Sequence, residues 1–493
     1  MSTSPRYPSL YQINTRVWLT ALARTLGRPA TLDDIPDVEL DRLAGMGFDW
    51  IWLLSVWQTG LAGQAISRAN RGWRKEFEET LPDLREEDIA GSGFAISGYT
   101  VHRALGGDIA LARLRERLRK RGLRLMLDFV PNHMGTDHPW VEQHPEHFVH
   151  GSEIDLNRSP QNYIRVTTSR GPVLLAYGRD PYFDGWPDTL QLDYANPATQ
   201  VAMIAELGKI SGQCDGVRCD MAMLILPEVF ERTWGRRPEP FWPNAIASVR
   251  QQHPEFLFMA EVYWDMESTM QHQGFDYAYD KRLYDRLREG HAQAVRDHLR
   301  AGLDYQNRLA RFLENHDEPR AAATFHPGVH EAAAVVTYLG PGLRFFHQGQ
   351  FEGRVKRISP HLVRGPNEPA NSTVAKFYER LLELLRRPVV RQGEWRLLEC
   401  APAWEGNASN DAVIACAWQD SGASRLIVSV NYADHQSQCY LRLPFAGLTG
   451  RKWRLRDLLG TAQHDRDGND LQARGLYLDV LPWQCHVFEM TGV

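Results

Sequence analysis

Cysteine is scarce. The 493 residues contain six (Cys214, Cys219, Cys400, Cys416, Cys439 and Cys485), and none forms a Cys-x-x-Cys pair, which argues against zinc-ribbon and thioredoxin-like sites. No apolar run approaches the roughly 18 residues that suggest a membrane span. The first residues, Met1-Ser2-Thr3-Ser4-Pro5-Arg6, lack the charged, apolar, small-residue order of a secretory signal. The expectation is a cytoplasmic protein with reduced thiols and no membrane partner. Neither charge sign dominates: Lys plus Arg number 56 and Asp plus Glu 61, net −5. No basic footprint therefore argues for a nucleic-acid partner. There is no His-Glu-x-x-His element, so a metal-dependent hydrolase lacks that ligand spacing. No repeat or low-complexity segment stands out, and the pattern carries no signal for an oligomeric state.

What is present is ordinary globular usage, 43% hydrophobic and 24% charged. The length suggests about three domains, although one barrel can take about 250 residues. The 15 Trp, 17 Tyr and 19 Phe suit a large core, and flat rings are also what sugars stack on.

Eight short apolar runs alternate with amphipathic stretches. The runs are Ile13–Leu19, Trp50–Leu54, Leu123–Val130, Gly216–Asp220, Phe256–Glu261, Phe275–Ala278, Ala310–Asn315 and Arg344–His347. Their nearly continuous apolar character predicts parallel strands buried on both faces. Between them, Ile109–Lys120 carries Ile109, Leu111, Leu114 and Leu118 among five Arg and Lys, and Val201–Ile210 is similar. Together these read as a (β/α)8 TIM barrel, an α/β fold. Asp220 to Glu261 is 41 residues, one βα unit, and Glu261 to Asp317 is 56, two units. Asp128 to Asp220 is 92, too long for one crossover, so a subdomain is expected after the third strand. The reading places the barrel at 1–135 and 197–392, the insertion at 136–196 and a tail at 393–493. The tail runs Val413–Trp418, Arg425–Asn431, Cys439–Leu443 and Gln484–Met490 predict an antiparallel β-sandwich.

In such a barrel the site lies at the C-terminal strand ends. The third strand runs into Asp128-Phe129-Val130-Pro131-Asn132-His133, and the fourth is Gly216-Val217-Arg218-Cys219-Asp220. The fifth runs Ala260-Glu261-Val262-Tyr263-Trp264, and the seventh ends Glu314-Asn315-His316-Asp317. A carboxylate in an apolar strand is costly unless paired or used. One would be a structural ion pair; several on one rim point to chemistry. Two carboxylates flanking a glycosidic bond are the standard device for its cleavage.

These four segments, in this order and on these strands, resemble the four signature regions of the α-amylase superfamily, glycoside hydrolase family 13. The inserted subdomain and the C-terminal β-domain match that layout too. The resemblance implies a retaining glycosidase acting on α-glucosidic bonds of malto-oligosaccharides or small α-glucosides. It assigns Asp220 as nucleophile, Glu261 as general acid and base, and Asp317 as the group holding the sugar ring. By the same resemblance His133 and His316 contact the sugar. Asp128 supports the network around Arg218, and Arg218 keeps Asp220 ionised. Phe94 stands where relatives place a stacking Tyr, with packing as its alternative, and Tyr263 and Trp264 are candidate platforms for an acceptor sugar. Asn132 and Asp193 match positions that relatives use for calcium; two ligands fall short of the six to eight calcium takes, and hydrogen bonding is the alternative role. No cofactor is required for the chemistry. Met223 and Leu224 replace the Lys-His that typical α-amylases carry there, which makes a drier acceptor side and a transglycosylase the second reading. A non-catalytic carbohydrate-binding protein is the third; it would be expected to lack one of Asp220, Glu261 and Asp317.

Overall fold

The computed structural model describes residues 5–422 and 424–493. Eight strands close into a barrel: β1 Ser9–Asn14, β2 Trp50–Leu54, β3 Arg124–Phe129, β4 Gly216–Cys219, β5 Leu257–Ala260, β6 Tyr277–Tyr279, β7 Leu309–Arg311 and β8 Leu343–His347. Each pairs in parallel with its sequence neighbours, and β8 pairs with β1. Burial on both faces explains the sequence: β1, β2, β4 and β8 are buried at every position. In the β3–β4 register Asp128 lies opposite Arg218, which sets those two charges side by side at the top of the barrel.

Three of the expected strands differ. The run Ile13–Leu19 is not one strand, because β1 ends at Asn14 and a helix spans Thr15–Leu26. Asn14 caps that helix, its side chain accepting from the Val17 N–H; Leu19 is apolar because it enters the core from the helix, with Trp18 partly buried against that core. The run Ala310–Asn315 is strand only over Leu309–Arg311. Beyond it the Asn315 side chain accepts from the N–H groups of Asp317 and Glu318 and turns the chain. The sixth strand is Tyr277–Tyr279, not Phe275–Ala278.

Between β3 and β4 the chain builds a separate four-stranded sheet, ordered His133–Gly135, Trp186–Gln191, Gly171–Gly178, Tyr163–Thr168. Two short helices, Pro139–Gln143 and Glu153–Arg158, accompany it. A second excursion, between β2 and β3, holds the helices Leu61–Ala69 and Arg71–Thr80. The tail forms six-stranded and three-stranded antiparallel sheets around a core that includes Ile427, Leu441, Trp453 and Phe488. Its strands Lys452–Asp457 and Gln463–Asp467 escape apolar reading because they are largely polar, the second lying at the sheet edge. No helix of the described residues is long and apolar enough to cross a membrane.

Candidate active site

The strand ends converge on one guanidinium. Arg218 points into the barrel and is fully buried, with the rings of Trp52, Phe94 and Tyr279 around it at 5.4, 5.3 and 5.8 Å. Its Nη1 donates to Asp220 Oδ1 at 2.5 Å, and its Nη2 lies 2.7 Å from Glu261 Oε2. Asp128 Oδ1 and Asp317 Oδ2 stand further off, at 3.9 and 4.0 Å. Four carboxylates thus crowd around one buried cation, with Arg357 adding a second positive charge near Asp317 alone.

Burial, with too little positive charge to offset it, sets the proton affinities. Burial pushes Glu261 up to about 8; Arg218 opposes this, and the charges of Asp220 and Asp317 reinforce it. Burial likewise raises Asp128 to about 7, again against Arg218. Glu261 is held at both oxygens, Oε2 accepting from the Met221 N–H at 2.6 Å and Oε1 from the Tyr263 hydroxyl at 2.9 Å. His316 is kept neutral, since burial and the nearby Arg218 drive its pKa well down. The Gln12 amide bonds its Nδ1 at 2.9 Å, so the proton sits on Nε2, 3.1 Å from Asp317 Oδ2.

Backbone strain gathers here. Of the five non-glycine residues with positive φ among the described residues, Ser55, Met221, Trp264 and Asp265 lie just beyond the ends of β2, β4 and β5, the kind of cost that persists where surrounding structure enforces it. At Met221 it aims the N–H at Glu261.

Above this floor lies a cavity of about 380 Å3 whose lining includes Asp220, Glu261, Asp317, Phe94, His133 and Tyr263. Arg218 and His316 lie beneath it. Trp264 is absent from its lining; it is partly exposed and meets Tyr182 edge to face at 5.1 Å. Met223 and Leu224 are buried in the core and do not line the cavity, whereas Met221 does. The sequence reading missed Trp73 and Glu76 on the helix Arg71–Thr80, Trp186 and Asp188 in the inserted sheet, and Arg357 and His361 after β8, all of which line the cavity. A signal existed for the first pair: the 69 residues from Leu54 to Leu123 exceed one crossover, as the insertion after β3 does.

The family description "Alpha amylase, catalytic domain" matches residues 31–377, more than half of the chain. The chain belongs to the alpha-amylase family. Similar curated proteins include the alpha-1,4-glucan:maltose-1-phosphate maltosyltransferase of Arcanobacterium haemolyticum, 27% identical over 49% of this chain and 30% of that protein. Another is the alpha-amylase MalA of Haloarcula japonica, 24% identical over 65% of this chain and 41% of that protein. The chain thus spans about a third of the length of these alpha-amylase family relatives. A noncanonic maltogenic alpha-amylase of Thermotoga neapolitana shares the fold at TM-score 0.69 and 17% identity, covering 99% of both chains.

The two positions that the family resemblance ties to calcium do not fit that ion as arranged. Asn132 Oδ1 accepts from Gln191 Nε2 at 2.9 Å. Asp193 Oδ2 accepts from Arg236 Nη1 at 2.8 Å, and Oδ1 from the Ala195 N–H at 3.1 Å. A guanidinium already supplies the positive charge. Among the described residues one group, His144, Glu146 and His147, brings ligand atoms within 4.8 Å of one another. In this family member His144 pairs with Glu146, and His147 with Thr199 outside the cluster.

Proposed function

We propose that this protein cleaves α-glucosidic bonds in malto-oligosaccharides or small α-glucosides with retention of configuration. Asp220 attacks the anomeric carbon while Glu261 gives its proton to the departing oxygen, so one C–O bond forms as the other breaks. Glu261, now ionised, then takes a proton from water, whose oxygen displaces Asp220. Asp317, His133 and Phe94 hold the sugar. The observation that carries this reading is the single guanidinium of Arg218 gripping Asp220 and Glu261 with neighbouring nitrogens. It suits the short separation of retaining pairs, about 5–5.5 Å, rather than the about 6.5–9.5 Å of inverting pairs. With Glu261 Oε2 facing both Arg218 and the Met221 N–H, the mobile proton belongs on Oε1.

Chain ends and small glucosides suit the cavity better than the interior of a polymer. The helix Arg71–Thr80 is tied to the segment after β8 by the Arg357–Glu76 ion pair, by Thr80 Oγ1 donating to Arg357 O and by Lys356 Nζ donating to Glu79 O, which walls off one side. A transglycosylase using the same residues, with a sugar hydroxyl replacing water, is the second reading. Met221 on the wall and the maltosyltransferase relatives favour it. Product chromatography on maltose, trehalose, sucrose, isomaltose, glucosylglycerol and starch tests both. Release of free sugar with the anomer retained supports hydrolysis, longer products at high sugar concentration support transfer, and no cleavage of any member overturns the proposal. A cytoplasmic location is part of this reading; the six cysteines, all free thiols, suit a reducing compartment.

A further inference from the structure

Asp188 lines the cavity on the strand Trp186–Gln191 of the inserted sheet. The residue is almost wholly buried, yet its Oδ2, sealed from water, has no hydrogen-bond partner among the described residues. None of their ion pairs includes it either. Asp128 Oδ1 also lacks a hydrogen-bond partner, but it faces Arg218 at 3.9 Å; Asp188 has no such cation. Burial raises the Asp188 pKa to about 6, against its own backbone N–H, which lowers it, so the group is mainly ionised at neutral pH with Oδ2 left unsatisfied. A buried acceptor without a donor is a standing penalty on the fold; it makes sense where a ligand brings the donor.

The surroundings say which ligand. Asp188 shares its wall with Trp186, Thr189 and His133, and the Trp186 ring meets His133 edge to face at 5.2 Å. The packing of this wall is tight. A Cβ on Gly178 would come within 2.6 Å of Thr189 Oγ1 and 2.9 Å of His133 Cβ, so only glycine lets the three strands approach. Rotation about χ2, broad and nearly two-fold for Asp, brings either oxygen to the cavity. A carboxylate beside an aromatic ring and a neutral histidine is suited to sugar hydroxyls: it accepts their protons while the ring covers a C–H face.

We propose that Asp188 accepts a hydrogen bond from a hydroxyl of the glucosyl unit that is transferred to Asp220, and thereby sets specificity for that sugar. The inference rests on the α-glucosidic reading, which places this sugar beside His133. Asp188 takes no part in bond making; it contacts substrate and discriminates.

The test is a cycle between protein and substrate. Wild type, Asp188→Ala and Asp188→Asn are assayed on 4-nitrophenyl α-glucoside and its 3-deoxy, 4-deoxy and 6-deoxy analogues, with 1-deoxynojirimycin binding and thermal unfolding measured alongside. Wild type is expected to lose about ten- to a hundred-fold in kcat/KM when the contacted hydroxyl is removed, the range of a hydrogen bond to a charged group. Asp188→Ala is expected to lose a similar factor on the parent glucoside and nothing further on that one analogue. Both variants are expected to unfold at the wild-type temperature or above, because an unsatisfied charge has been removed; a merely structural carboxylate would give the opposite shift. If Asp188→Ala keeps its kcat/KM, or loses the same factor on all four substrates while unfolding earlier, the inference is overturned and the α-glucosidic reading stands. If wild type neither cleaves the glucoside nor binds 1-deoxynojirimycin, the α-glucosidic reading falls, and this inference with it.

Discussion

Two buried arginines in the same barrel meet opposite electrostatic problems. At β7, Arg311 Nε donates to Asp280 Oδ2 at 3.0 Å, and His298 Nε2 lies 2.9 Å from the other oxygen. One carboxylate has two partners. Burial would raise the Asp280 pKa, but His298 and Arg311 hold it down at about 2. At β4, Arg218 is shared among Asp220, Glu261, Asp128 and Asp317, and Glu261 rises to about 8. Burial is similar at both places. The ratio of cations to carboxylates decides which acid keeps its proton, and a site that needs a proton donor at neutral pH is built by leaving that ratio short.

Removing either reacting carboxyl should separate the two networks most sharply. Asp220→Asn and Glu261→Gln are expected to cut turnover by at least about 10^4-fold, as loss of a reacting group does elsewhere. Thermal unfolding should move by only a few degrees, because Asn and Gln keep the shape and volume of the acids they replace. Near-normal rates on an activated α-glucoside would remove the role assignment. Arg218→Lys comes next. A lysine cannot grip two carboxylates with neighbouring nitrogens, and a loss of about 10^2 to 10^3-fold in kcat/KM is expected.

Asp280→Asn should do the reverse. Breaking a buried pair typically costs about 3–5 kcal/mol, read by denaturant unfolding, while the rate per folded molecule stays near wild type. A variant equally stable and less active would instead draw Asp280 into the site.

The pH dependences should run in opposite directions. The folded-state pKa of Glu261 is raised, so its protonated form is favoured in the fold. Activity is expected to fall as pH rises through about 8, and this group makes folding less favourable above the unfolded carboxylate value of about 4.3. The Asp280 value is depressed. Its stabilisation is present above about 3.9 and is lost as pH falls toward 2. Acid titration of Asp280→Asn should lack that loss; an unchanged acid limb would contradict the pairing. The smallest effect expected is that of a chelator. With Arg236 on Asp193 and Gln191 on Asn132, treatment with EDTA should shift the unfolding temperature by less than about 1 °C, and a larger drop would show that a bound ion had been missed.

Much of the architecture was legible because it depends on local rules. Strands buried on both faces must be apolar, so the barrel showed itself as runs such as Trp50–Leu54. A 92-residue gap between Asp128 and Asp220 had to hold extra structure. The acids at the strand ends were legible because a charge in an apolar strand demands a reason. Errors arose where side chains redirected the backbone: Asn14 turned an expected strand into a helix, and Asn315 ended β7 early. Trp264 carried the right chemistry in the right place along the chain, but its left-handed backbone and the ring of Tyr182 leave it outside the cavity.

The sequence alone determined the barrel, its insertion after β3, and that Asp220, Glu261 and Asp317 share one rim, since strand order and strand-end position follow from pattern and spacing. It could not decide which groups carry charge there. That depends on how many carboxylates surround Arg218, on Met221 turning its N–H to Glu261, and on burial, all of them distances between residues far apart in the chain. Nor could it find Asp188, one acid among several in the inserted segment. Only packing of the inserted sheet against His133 and Trp186 leaves that carboxylate buried at the wall of the cavity with an unpartnered oxygen.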